Sequence, residues 1–149
     1  MFTGVFVARI DATRRTTVPA LFREVLLKTQ MNNGLVITNS LPVDCNGKIH
    51  QGLMIYPIKE WQQFKDRFEV ANLTNNLKKS ILNVILAPAR ECSMDDRGRI
   101  QIPKSICNNG LNGLQEVVLF GKGSSIELWN TDSWAEVECA YSDQYLNRP

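Results

Sequence analysis

The sequence predicts an α+β domain built from two copies of one half-unit of short strands and amphipathic helices. Two observations carry that prediction. The run Asp11-x-x-x-Arg15-x-x-Val18-Pro19 returns 84 positions later as Asp95-x-x-x-Arg99-x-x-Ile102-Pro103. Around both runs, apolar residues alternate with period two and then recur at helical spacing. The agreement continues downstream, where residues 34–38 answer 116–120 and 53–56 answer 126–129. By that point the offset has fallen to 73, because the first copy has a longer loop, 39–52, containing Pro42, Asn46 and Gly47.

Each copy opens on an alternating strand, Ala8 and Ile10 in the first and Cys92 and Met94 in the second. A turn leads to a second short strand, Thr16 and Val18 or Ile100 and Ile102. Asp11 and Asp95 open these turns, where a carboxylate accepts backbone N–H groups two residues on. Gly98 reaches positive φ at no steric cost; Arg14 stands at the matching place, so the first turn needs another geometry or accepts strain.

Pro19 and Pro103 follow, at a strand-to-helix junction that tolerates a missing N–H. The first helix, Ala20–Lys28, sets Phe22, Val25 and Leu26 on one face; its counterpart, 104–108, is expected to stop at Asn109-Gly110. Two more strands follow in each copy, joined by loop 39–52 or by the turn 121–125. A closing helix begins near Pro57 with Trp61, Phe64 and Phe68 on one stripe. The second copy repeats it as Trp134, Val137 and Tyr141, with Asn130 or Thr131 as cap. These aromatics read as core rather than as a ligand box. A third helix, 74–86, with Leu77, Ile81, Val84 and Ile85 apolar, links the copies before Pro88. The expected division is 1–72 for the first repeat, 73–86 for the linker, 87–142 for the second repeat and 143–149 for a tail, all in one fused domain.

The 149 residues are 44% hydrophobic and 21% charged, enough for one real core. The longest apolar run, 81–87, is broken by Asn83 and falls far short of the ~20 residues of a membrane span. The amino terminus lacks a basic stretch followed by an apolar one, so a cytoplasmic protein without a membrane partner is expected. Cys45, Cys92, Cys107 and Cys139 are scattered, with no CxxC pair, and His50 is the single histidine. Reduced thiols are expected rather than a metal site, and no cofactor. An enzyme is not expected either: the sequence has no nucleophile elbow, and 121–125 lacks the spacing of a phosphate loop.

The net charge of +2 conceals two basic blocks. Residues 1–30 carry +3 and 76–123 carry +3, while 31–75 balance and 124–149 carry −4. By itself this pattern reads first as a solvated surface and only second as a nucleic-acid contact.

The doubled unit of strand, Asp-x-x-x-Arg turn, strand, Pro and short helix, then a strand pair and a Trp helix, resembles the MraZ family of bacterial transcriptional regulators. The resemblance runs from Met1-Phe2-x-Gly4 through the second Trp helix. It implies tandem AbrB-like (SpoVT-AbrB) repeats forming a small pseudo-twofold double-ψ or swapped-hairpin β-barrel with flanking helices. It also implies a ring-shaped homo-oligomer, an octamer in particular, and a nucleoid-associated protein. That protein would bind double-stranded DNA at short repeated boxes upstream of the division and cell-wall gene cluster and regulate its own gene. The first turn departs from the family pattern, with Thr13-Arg14 where Lys-Gly is usual, whereas Arg97-Gly98-Arg99 keeps it.

An arginine fork matches guanine O6 and N7, or a phosphate, with two parallel bonds. On the residues alone, each Asp and Arg pair reads equally as a surface ion pair or as a contact. The resemblance assigns DNA contact to Arg15, Arg99, Arg14 and Arg97 on the turns, with Arg23 and Lys104 just behind. Asp11 and Asp95 then hold the turn backbone. The competing expectation is a ring-forming protein-interaction scaffold that has lost sequence-specific DNA binding.

Overall fold

The computed structural model describes residues 1–28, 34–106 and 115–146. Among the described residues the chain forms ten strands and four α-helices. The first copy runs β1 (Val5–Ile10), β2 (Arg15–Thr17), α1 (Ala20–Lys28), β3 (Gly34–Asn39), β4 (Val43–Cys45), β5 (Lys48–His50), β6 (Leu53–Pro57) and α2 (Ile58–Val70). After α3 (Asn75–Ser80) the second copy runs β7 (Arg90–Ser93), β8 (Arg99–Gln101), β9 (Gln115–Gly121), β10 (Ile126–Asn130) and α4 (Thr131–Leu146).

The two copies interleave. A six-stranded antiparallel sheet has the order β1-β9-β10-β6-β3-β7, so each copy's first strand pairs with the other copy's third. β2 pairs with β8 in a separate ribbon. The registers are symmetric under the sequence offsets. Arg15 faces Gln101 and Thr17 faces Arg99, pairs that exchange when the copies exchange. Thr16 faces Ile100 and Met54 faces Glu127, pairs that map onto themselves and so mark the pseudo-twofold axis.

The main core lies between the ribbon and one sheet face, where Ile10, Val18, Ile37, Ile55, Ile102 and Leu128 are fully buried. Burying such a side chain contributes ~1.5–3 kcal/mol each. Phe22 of α1 wedges beneath Phe2 and Phe6, edge to face, at centroid distances of 5.6 and 5.1 Å. The other sheet face carries two smaller cores. Trp61 and Phe64 of α2 stack at 5.4 Å over Tyr56, and Trp134 and Val137 of α4 cover Phe120 and Trp129.

Four expectations need correction. The strands form three antiparallel sheets rather than one closed barrel, because the six-stranded sheet ends at β1 and β7 while β2 and β8 pair with each other. The linker is not one regular helix: α3, capped by Thr74, gives way to a π-helical turn, Ile81–Leu86. The side chains of Thr38 and Asn39 donate to the carbonyls of Ile85 and Val84, fixing that turn to β3. Loop 39–52 contains the hairpin β4–β5, closed by Asn46 and Gly47 at φ of 56° and 86°. The helix after Pro103 is a single 3-10 turn, Lys104–Ile106, within the described residues. Its expected stop at Asn109-Gly110, Cys107 and the side chain of Tyr141 lie outside them. Asn130, not Thr131, caps α4, accepting from the Ser133 amide at 2.8 Å.

Candidate nucleic-acid interface

Alternation gives the β2–β8 ribbon two unlike faces. Thr16 and Ile100, with the flanking Val18 and Ile102, point into the core, while Arg15, Thr17 and Gln101 are exposed and Arg99 is half-exposed. Each ribbon strand is entered through an Asp turn, and antiparallel pairing sets the two turns at opposite ends of the ribbon.

The turns are built alike. Asp11 Oδ1 accepts the amides of Thr13 and Arg15 at 2.8 and 2.9 Å, and the Thr13 hydroxyl at 2.7 Å. Asp95 Oδ1 accepts the amides of Arg97 and Arg99, both at 2.9 Å. In each case the amide four residues on is the largest influence holding the carboxyl below its ordinary value. Asp95 Oδ2 also accepts from Arg99 Nε at 3.0 Å, which orients that guanidinium; no such bond joins Asp11 to Arg15. The turns then tie into the opposite strand, Val18 N donating to Gly98 O and Ile102 N to Arg14 O, both at 2.8 Å.

Arg14 adopts the glycine geometry, with φ of 66° beside 76° at Gly98. The first turn therefore accepts strain rather than another shape. Its half-buried guanidinium is turned back onto the fold, Nε donating to the Ile102 carbonyl at 3.1 Å. Arg23 of α1 does the same for the second turn, Nη1 donating to the Arg97 carbonyl at 3.1 Å while lying over Gly98. Arg97 and Lys104 are exposed beside the ribbon.

The ribbon thus sets Arg15 and Arg99 on its outward face, with Arg97 exposed in the turn that enters β8 and Lys104 exposed after it, while Arg14 and Arg23 bond back onto the fold as clamps on the two turns. Thr17 and Gln101 share the outward face and are absent from the sequence reading. Their position two residues from each arginine on a strand was the available signal. Gln101 also donates to the Thr13 carbonyl at 2.9 Å, fixing one end of the ribbon. Among the described residues no three His, Cys, Asp or Glu side chains cluster as metal ligands. No described helix is long and apolar enough to cross a membrane.

A family profile described as "MraZ protein, putative antitoxin-like" matches residues 85–145. The chain is 38% identical to "Transcriptional regulator MraZ" of Geobacter metallireducens over 140 residues, covering 92% of this chain and 87% of that one. It is 38% identical to the protein of the same name from Geobacter sulfurreducens, covering 87% and 83%. The protein of that name from Syntrophotalea carbinolica is 39% identical over 87% of this chain and 81% of its own.

Proposed function

The chain belongs to the MraZ family, whose relatives are named transcriptional regulators, and from that premise we propose that it regulates transcription by binding double-stranded DNA through the outer face of the β2–β8 ribbon. The observation that carries this reading is the ribbon itself: arginines on one face, core on the other, turns fixed at both ends. A two-stranded ribbon fits the B-DNA major groove, and arginine is the usual reader of guanine there. Arg15 and Arg99 meet base edges, with Thr17 and Gln101 between them. Arg97 and Lys104 meet flanking phosphates, and the free edges of Arg14 and Arg23 add positive field. Such a regulator is not expected to catalyse a reaction.

The half-units are read as 1–72 and 87–142, joined by 73–86 and followed by the tail 143–149. Their exchanged pairings support a swapped-hairpin arrangement. One ribbon supplies few phosphate contacts, so tight binding requires several subunits on repeated boxes, gaining avidity without new contacts. The family resemblance supplies the ring, an octamer in particular, the boxes upstream of the division and cell-wall cluster, nucleoid association and autoregulation.

The test is titration of the DNA upstream of the protein's own gene at two salt concentrations, with Arg15→Ala and Arg99→Ala. Each substitution is expected to weaken binding by about 1–3 kcal/mol, and wild-type affinity to fall steeply with salt. Arg97→Ala is expected to weaken binding to all sequences alike and to lower the salt slope by about one. Binding indifferent to salt, or to both ribbon substitutions, removes the ribbon as the DNA surface.

A further inference from the structure

On the sheet face opposite the ribbon, α2 and the π-helical turn cover one half and α4 the other, leaving a cleft of about 530 Å³ between them on the pseudo-twofold axis. That volume lies within the ~300–1,000 Å³ of small-molecule sites. Tyr56, Phe64, Phe120, Trp129 and Trp134 line it, and Glu127 stands in its floor. Glu127 is only 7% exposed. Its Oε1 accepts the Trp129 indole N–H at 2.9 Å, and its Oε2 lies 3.4 Å from Lys122 Nζ at the rim.

Packing does not require this charge. Met54 occupies the pseudo-symmetric position, paired with Glu127 across the axis, so an apolar side chain serves there. A neutral amide would accept the indole N–H as well. A carboxylate drawn out of water is costly unless matched, and the cation that pairs with it among the described residues, Lys122 at 3.4 Å, sits at the rim with its side chain 53% exposed, where water weakens the pair and a ligand ammonium can displace it. The wall also carries Glu138, so the lining has two carboxylates against one ammonium. Aromatic faces around a desolvated carboxylate make a site for a cation with an apolar body.

We propose that this cleft binds a small aromatic compound bearing a protonated amine, its ring among the aromatic walls and its ammonium on Glu127. The proposal is independent of the DNA reading, since the cleft and the ribbon lie on opposite sides of the sheet.

The experiment is calorimetric titration of the full chain with phenethylamine and with 2-phenylethanol, its neutral counterpart. Saturable binding of the amine is expected, about tenfold or more tighter than the alcohol. Glu127→Gln, which keeps an acceptor for the indole, is expected to abolish that preference. Lys122→Ala, at an exposed rim position, is expected to tighten amine binding by releasing Glu127 from its competitor. Absence of saturable binding at ~10 mM amine, equal affinity for amine and alcohol, or a preference that survives Glu127→Gln overturns the proposal. A cleft filled by a second copy of the chain gives the first of these results.

Discussion

Replacing Gly98 by alanine tests whether the second Asp turn and α1 are one mechanical unit. A Cβ at Gly98 would stand 2.2 Å from Arg23 Nη1 and 2.4 Å from its Cδ, at a backbone φ of 76°. The left-handed conformation costs an L-residue ~1–2 kcal/mol. Arg23 is flexible enough to move aside, but in moving it gives up its bond to the Arg97 carbonyl, worth ~1 kcal/mol. The expected loss is about 2–3 kcal/mol, which for a chain of this size lowers Tm by about 5–10 °C. In an Arg23→Ala background only the backbone cost remains, so the double-mutant cycle should show a coupling of ~1 kcal/mol. Urea unfolding of the four proteins measures it. A coupling of zero, or a Gly98→Ala protein as stable as the parent, refutes the clamp. The matching change in the first turn, Arg14→Gly, should be nearly neutral: relief of strain at φ of 66° is offset by loss of the Ile102 bond and by added freedom of the unfolded chain.

Two further outcomes follow from the titrating groups. Asp11 and Asp95 are held below their ordinary value of 3.8, first by the amides of residues 15 and 99, so the stability they contribute is complete above that pH. It is lost as pH falls from 3.8 through the lower folded value, and Asp11→Ala with Asp95→Ala should flatten the acid limb of the urea midpoint; a limb parallel to the parent's counts against the turns. Burial pushes the Cys92 thiol up to about 11, so at pH 8 iodoacetamide should modify exposed Cys139 well before Cys92, as peptide mass mapping reads; equal rates contradict the burial of Cys92.

The duplication was legible because a fixed offset survives in side chains whose roles are local: the Asp that gathers amides, the Pro at a junction, the Trp on a helix stripe. The registers repay that offset, since Arg15 and Gln101 exchange with Thr17 and Arg99. The β4–β5 hairpin was legible in principle, from Asn46-Gly47, but its strands are three residues each, too short for alternation to stand out. The π-helical turn was not legible, because it depends on Thr38 and Asn39 arriving from a distant strand. For the same reason the direction of the Arg14 and Arg23 side chains was hidden: both bond carbonyls of the other copy. Sequence placed four of the arginines in or beside the two Asp turns, and only the exchanged pairing decides which of them face outward.

The pairing of β1 with β9 also sets a schedule for synthesis. β1 leaves the ribosome long before its partner, residues 115–121. Val5 and Val7, 57% and 63% exposed even in the finished fold, remain on an unpaired strand until then. The first copy therefore has no complete sheet to fold into on its own, and the chain closes late, through contacts of high sequence separation. A fragment ending after α2 would retain a hungry edge, and its natural remedy is to pair with another such fragment. The tandem arrangement holds, in one chain, the encounter that two half-length chains would otherwise have to make by diffusion.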